Sequence, residues 1–174
     1  MKSLYVTIDR QIFISPDSAI ISRGNPWFLP DDAPSWKGKV LLGTCITRLG
    51  MHIAEKFANR YYQNFIAAVH TYSDNAEQSV RWSRDGALVT GAGVVPASSD
   101  GTLNLVAAGS RYDCDANLVR EKIDSLIAYV SKFITLKTGD LILFDTGIND
   151  FDINEGFDFD VELNDTHMLH FKTR

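Results

Sequence analysis

Side chains able to move protons or hold anions are spread thinly along this 174-residue chain, and the informative ones are His70, Asp74, Arg84 and Asp145. An imidazole can take up a proton near neutral pH, a carboxylate can orient it, and a guanidinium is a good partner for an anion. Their spacing assembles no nucleophile, base and orienting group, so the residue pattern alone names no reaction. Arg84 stands just before Asp85-Gly86, where a solvated turn arginine is the simplest reading. Cys45 and Cys114 are too few and too far apart for a disulfide framework or a zinc motif, and read as reduced, small hydrophobes. His52 reads as a solvated residue on the polar side of a helix.

The C-terminal stretch concentrates oxygen ligands: Asp150, Asp152, Glu155, Asp158, Asp160, Glu162 and Asp165. Asp150, Asp152 and Asn154 alternate as at the start of a calcium loop, but Gly156 falls one place late and Val161 would occupy the closing carboxylate position. A strand accounts for the same residues, with Phe157, Phe159, Val161 and Leu163 facing a core and the acids facing water. His167 and His170 lie three apart on the expected returning strand after an Asn164-Asp165 turn, which predicts opposite faces.

The elements that must position these residues follow from hydropathy. From Asn117 onward, Ile123, Leu126, Ile127, Val130, Phe133 and Ile134 form a helical stripe, with Asp115 or Asn117 available as cap. Thr138-Gly139-Asp140 supplies turn chemistry, and Leu141 to Phe144 is an apolar run suited to a strand covered on both faces. Short strands are expected at Leu4 to Val6, Gln11 to Ile14 and Ala19 to Ile21, and a proline-restricted extended passage at Asn25 to Pro30. Lys37 to Arg48 reads as a strand and Met51 to Tyr62 as a helix. Leu103 to Gly109 reads as a further strand after a Ser98 to Gly101 turn.

With 45% hydrophobic residues, the chain is long enough for one sizeable core, so a single domain over 1–174 is the expectation. Its 17 basic and 22 acidic residues leave a net charge of -5 without any basic stripe, which argues against nucleic acid as a partner. No run of 18 apolar residues and no cleavable leader pattern occurs, so no membrane association and a cytoplasmic location are expected.

Two stretches carry a resemblance. Ile127 to Gly147, IAYVSKFITLKTGDLILFDTG, is similar to the closing pattern "iayiSrf-TL-pGDli-tGTP" of the fumarylacetoacetate hydrolase family, and Arg48 to Tyr62 runs in step with its "r-l-G-k-n-I-a-e-r-f-A-h-r-Y-y". The resemblance implies an α+β, β-rich fold: a mixed β-roll with two main helices near 51–62 and 117–135, paired as a homodimer. It also implies a pocket. Counted back from Gly50, Lys39 and Leu41 fall where the family keeps two metal-binding glutamates, and His70 falls where it keeps an aspartate. Trp82, Ser83 or Arg84 falls near its pocket lysine, and Asp145, Thr146 and Gly147 replace its Gly-Thr-Pro turn.

Ammonium and hydrocarbon cannot serve as hard oxygen ligands, so the family's Mg²⁺ or Mn²⁺ is expected to be lost, leaving neither catalytic nor metal residues. Between Tyr5 and Ile14 there is no room for the family's lid of roughly two dozen residues with its His and Glu. The vestigial pocket is therefore expected at Lys39, Leu41, His70, Arg84, Asp145, Thr146 and Gly147. The expected function is that of a non-catalytic or re-purposed relative, open to a small-molecule ligand. The alternative is a divergent hydrolase, isomerase or decarboxylase acting on a small dioxo- or oxo-acid through a rebuilt site.

Overall fold

A computed structural model describes residues 1–22 and 26–174. The Asn25 end of the expected extended passage lies outside the described residues; from Pro26 onward the passage is extended, and Trp27 bridges Thr173. Among the described residues thirteen strands are present: Lys2–Val6 (β1), Ile12–Pro16 (β2), Ile20–Ser22 (β3), Trp36–Cys45 (β4), Asn64–Tyr72 (β5), Leu88–Thr90 (β6) and Val95–Pro96 (β7), then Thr102–Ala107 (β8), Ser110–Asp115 (β9), Leu141–Asp145 (β10), Phe151–Ile153 (β11), Asp158–Leu163 (β12) and Thr166–Lys172 (β13). The larger sheet runs β2-β1-β10-β4-β5-β6-β3, with β11 extending β4 and β7 extending β5, and β13-β12-β8-β9 form the second. This is the β-rich mixed architecture expected.

Among the described residues two α-helices accompany them, Gln78–Ser83 (α1) and Ala116–Val130 (α2). Of the two candidate caps, Asp115 is the one used: its carboxylate accepts the Asn117 N–H at 2.6 Å. Val119, Ile123, Leu126, Ile127 and Val130 are buried, packing α2 onto the core formed with Leu42, Phe65, Leu103, Leu105 and Val161. At about 1.5–3 kcal/mol for each fully buried large aliphatic side chain, this stripe holds the helix far more firmly than helix propensity does. The helix stops at Val130, five residues short of the expected end, so Phe133 is 63% exposed rather than part of the buried stripe.

The helix expected over 51–62 does not form. The N–H groups of Gly50, His52 and Ile53 donate instead to Leu136 O, Ser131 O and Ser131 Oγ, leaving only a 3-10 helix at Glu55–Arg60. His52, exposed at φ +54, stands in that loop rather than on a helix. Conversely, α1 forms where the sequence led to no expected helix.

The acidic tail folds as the strand reading required: β11 pairs with β4, and β12 buries Phe159, Val161 and Leu163. The two histidines of β13 do not point to opposite faces. The β12–β13 register shifts at Val161/Glu162, so Met168 and Leu169 are both buried, while His167 and His170 are both exposed.

Candidate functional site

On β4, Lys39 and Leu41 are two apart and share a face, and the register sets Lys39 opposite His70 of β5 and Leu41 opposite Asp145 of β10. The Lys39 ammonium lies 2.9 Å from Asp145 Oδ2 and 3.0 Å from Asp150 Oδ1. Burial alone would lower its pKa, but the hydrogen bonds to both carboxylates outweigh burial and hold it well above the usual lysine range. Tyr72 completes the cluster by donating its hydroxyl to Asp150.

Leu41 contributes no polar group. It is fully buried among Tyr5, Ile66, Ala68, Trp82 and Leu143. His70 is covered by Trp82 of α1, whose ring stacks on the imidazole at 3.5 Å between centroids and 8° between planes. On its other face Trp82 meets Tyr5 at 4.3 Å. His70 Nε2 lies 3.0 Å from the Arg81 carbonyl, which can only accept, so Nε2 carries the proton. Burial, reinforced by the Lys39 cation, pulls the imidazole down to about 4 against the pull of that carbonyl, and the ring is neutral at pH 7. A cavity of about 210 Å³ remains, with Lys39, His70, Tyr72, Asp74, Arg81 and Trp82 in its wall.

The turn after β10 is committed to the fold. Thr146 is 3% exposed; its hydroxyl donates to Val40 O at 2.9 Å and accepts the Ile148 N–H at 3.3 Å, so no free hydroxyl is presented to a ligand. Gly147 adopts φ +80, and its N–H donates to Asp145 Oδ1 at 2.8 Å.

Arg84 does not join the other six positions. The backbone turns extended at Arg84 after α1, carrying the guanidinium to 4.0 Å above the Trp36 ring with Asp32 at 3.8 Å. Its Nη1 is buried without a hydrogen-bond partner among the described residues, and burial lowers its pKa against the pull of Asp32 and Asp85. Trp82, two residues earlier, takes the place by the pocket.

A second, larger cavity of about 570 Å³ opens on the other side of Tyr5, between the β1–β2 turn and α2; Asp145, Thr146 and Gly147 form part of its rim. Sequence reasoning missed this cavity's Arg10, Tyr112, Lys122 and Ser125, as it missed the pairing of Asp150 with Lys39; Trp82, beside Ser83 and Arg84, is one of its candidates near the pocket. The available signal was that Lys122 and Ser125 are three apart on α2 and so share a helix face.

The donor set at 39, 41 and 70 does not fit a hard divalent cation: an ammonium, a hydrocarbon and an imidazole whose Nε2 is protonated. Elsewhere, Asp158, Asp160 and His170 bring ligand atoms within 4.8 Å of one another on the exposed face of β12 and β13. These groups already contact one another or their neighbours, Lys172 Nζ lying 3.8 Å from Asp158 Oδ2, His170 Nε2 against Asp158 Oδ1, and His167 Nδ1 3.5 Å from Asp160 Oδ1.

No family model matches the sequence, and neither does any curated protein. Solved structures do. Fumarylpyruvate hydrolase from Pseudomonas aeruginosa, determined with Mn²⁺ and pyruvate, superposes with TM-score 0.79 at 14% identity over 99% of this chain and 89% of that one. For 2-hydroxyhepta-2,4-diene-1,7-dioate isomerase from Mycobacterium marinum the TM-score is 0.83 at 19% identity, over 99% and 73%. A Yersinia pestis CO92 protein assigned to the fumarylacetoacetate hydrolase family gives 0.79 at 20% identity, over 99% and 92%. The chain therefore has the fumarylacetoacetate hydrolase fold, as its sequence resemblance implied. No helix among the described residues is long and apolar enough to cross a membrane.

Proposed function

We propose that this chain is a re-purposed relative of the fumarylacetoacetate hydrolases, one domain over 1–174, that works without the family's metal ion. The observation that carries this reading is the Lys39 ammonium held between Asp145 and Asp150. A built-in cation neutralises the carboxylates nearest the resemblance-derived metal positions, while Leu41 and the His70–Trp82 stack fill the adjoining space with carbon. A divalent ion placed there would face an ammonium a few ångströms away and would gain no ligand from Leu41.

The test is a Mn²⁺ titration followed by paramagnetic broadening of the four histidine ring signals. His70 is expected to stay sharp while any broadening falls on His170 beside Asp158 and Asp160. Stoichiometric broadening of His70 and Tyr72 would overturn the reading. As a positive control, the triple variant Lys39→Glu, Leu41→Glu, His70→Asp restores a carboxylate set.

A second reading, a divergent hydrolase or isomerase of a small oxo-acid, draws support from the activities of the similar solved proteins and from the larger cavity beside Asp145. Turnover of fumarylpyruvate that survives chelation of divalent ions would favour it. The homodimer implied by the resemblance is part of the proposal and is read by light scattering.

A further inference from the structure

The larger cavity carries two cations that the fold does not neutralise. Arg10 and Lys122 line it, and among the described residues neither forms an ion pair. The carboxylate on the rim, Asp145, is already occupied: Oδ2 receives Lys39 and Oδ1 receives the Gly147 N–H.

Both cations are held in place. Arg10 sits at φ +66 in the tight turn closed by the Arg10 N–H to Thr7 O and the Thr7 N–H to Gln11 O. Its guanidinium lies 5.0 Å from the Tyr129 ring centroid, and its carbonyl accepts the Tyr129 hydroxyl at 2.8 Å. Arg10 Nη2 also reaches Ser125 Oγ at 3.3 Å. Lys122 precedes Ser125 by three residues on α2, which places the two on one helix face about 4.5 Å apart along the axis. Although Lys122 is an exposed residue, its Nζ ends 4.3 Å from the centroid of the buried Phe144 ring. Burial lowers the pKa of that ammonium, against weaker pulls from Asp145 and Cys114, so a further anion beside it would be favourable.

The remaining wall is mixed. Val6 and Leu126, 2% and 6% exposed, offer hydrocarbon, and Tyr112 and Ser125 offer hydroxyls. Two cations, two hydroxyls and an apolar patch in one cavity wall suit an organic acid better than a bare inorganic ion.

We propose that this cavity is a binding site for a small organic carboxylate, the anionic group bridging Arg10 and Lys122 and the carbon chain lying against Val6 and Leu126. The site uses residues other than Lys39, Leu41 and His70 and stands whether or not the metal positions are dead. Because both cations are anchored before the ligand arrives, little ordering entropy remains to be lost on binding.

The experiment is an amide-resolved NMR titration of the full chain with pentanoate, pentanamide and inorganic phosphate in parallel. Pentanoate is expected to shift Thr7, Arg10, Tyr112 and Ser125 saturably, with affinity falling as salt is raised. Pentanamide, which lacks the charge, and phosphate, which cannot use the apolar wall, are each expected to bind at least tenfold more weakly. Arg10→Gln and Lys122→Gln should each weaken pentanoate about tenfold, the size of one lost charge-assisted contact. Arg10→Lys and Lys122→Arg should stay within a few-fold, and Lys56→Gln, which makes the same charge change elsewhere, should leave affinity unchanged. Unshifted cavity amides, full affinity in the Arg10→Gln/Lys122→Gln double variant, or phosphate or pentanamide binding as tightly as pentanoate would each overturn the proposal. Mn²⁺ broadening of His70 would overturn the metal-free reading and leave this one intact.

Discussion

Replacing Lys39 with Met should destabilise the protein measurably, because it removes the cation and leaves its partners behind. Asp145 and Asp150 would then face each other across a site whose three side chains are 24%, 38% and 26% exposed for Lys39, Asp145 and Asp150. Breaking a fully buried pair from one side costs about 3–5 kcal/mol, and losing an exposed pair costs less than about 1 kcal/mol. The intermediate exposure places the expected loss near 2 kcal/mol. For a chain of this size that corresponds to a fall in Tm of about 4–8 °C.

The pH dependence is a second check. The folded-state pKa of Lys39 is raised, because the two carboxylates outweigh burial, so its contribution is fully present below the ordinary lysine value of 10.5 and is lost as pH climbs above it. The difference between wild type and Lys39→Met in urea denaturation should therefore be constant from pH 7 to 10 and should narrow beyond. Adding Asp145→Asn and Asp150→Asn should recover most of the loss, since the uncompensated charges go with them. A Lys39→Met variant as stable as wild type at pH 7 would refute the reasoning.

Two further substitutions probe the frame. His70, held near 4 by burial, keeps off a proton that the unfolded chain accepts, so wild type should lose about 2 kcal/mol of stability between pH 7 and 4.5 from this group. His70→Phe, which keeps a ring against Trp82, should show a correspondingly flatter dependence in the same window; an identical slope would remove His70 from the account. At Gly43 an added Cβ would stand 1.9 Å from the Ile142 carbonyl oxygen and 3.0 Å from Leu143 Cα, both backbone of β10. Gly43→Ala should cost about 3 kcal/mol or more in urea denaturation, whereas Gly38→Ala meets side-chain atoms of the Phe151 ring rather than backbone and should cost less.

Alternation and capping chemistry were enough to read most of the frame. Asp115 at the start of α2, the turn at Gly139, the buried run of β10 and the two-residue period of β12 all report local rules. What escaped was set by distant partners. Residues 50 to 53 have a helical apolar pattern, but their N–H groups are taken by Ser131 and Leu136. Helix α1 has six residues, too short for periodicity to register, and β9 carries no apolar stripe. A single bulge reversed the expected facing of His167 and His170. At the site, the shared face of Lys39 and Leu41 followed from strand period alone. The arrival of Asp150, the entry of Trp82 rather than Arg84, and the departure of Arg84 toward Trp36 depended on loops whose course no local pattern fixes.

The seam between β1 and β10 has a consequence for biosynthesis. Strand β1 pairs with β2 at once, but its other neighbour is β10, and Lys2 meets Asp140 across 138 residues of chain. At roughly 5–20 residues per second a ribosome needs about 7–28 s to cover that interval. Throughout it, the outer edge of the newborn β1–β2 hairpin presents unpaired N–H and C=O groups beside Leu4, Tyr5 and Val6. Such an edge can add a strand from another nascent chain. The step that ends this vulnerability is the emergence of Leu141 to Asp145, so chains stalled before Leu141 should be the aggregation-prone and chaperone-bound ones.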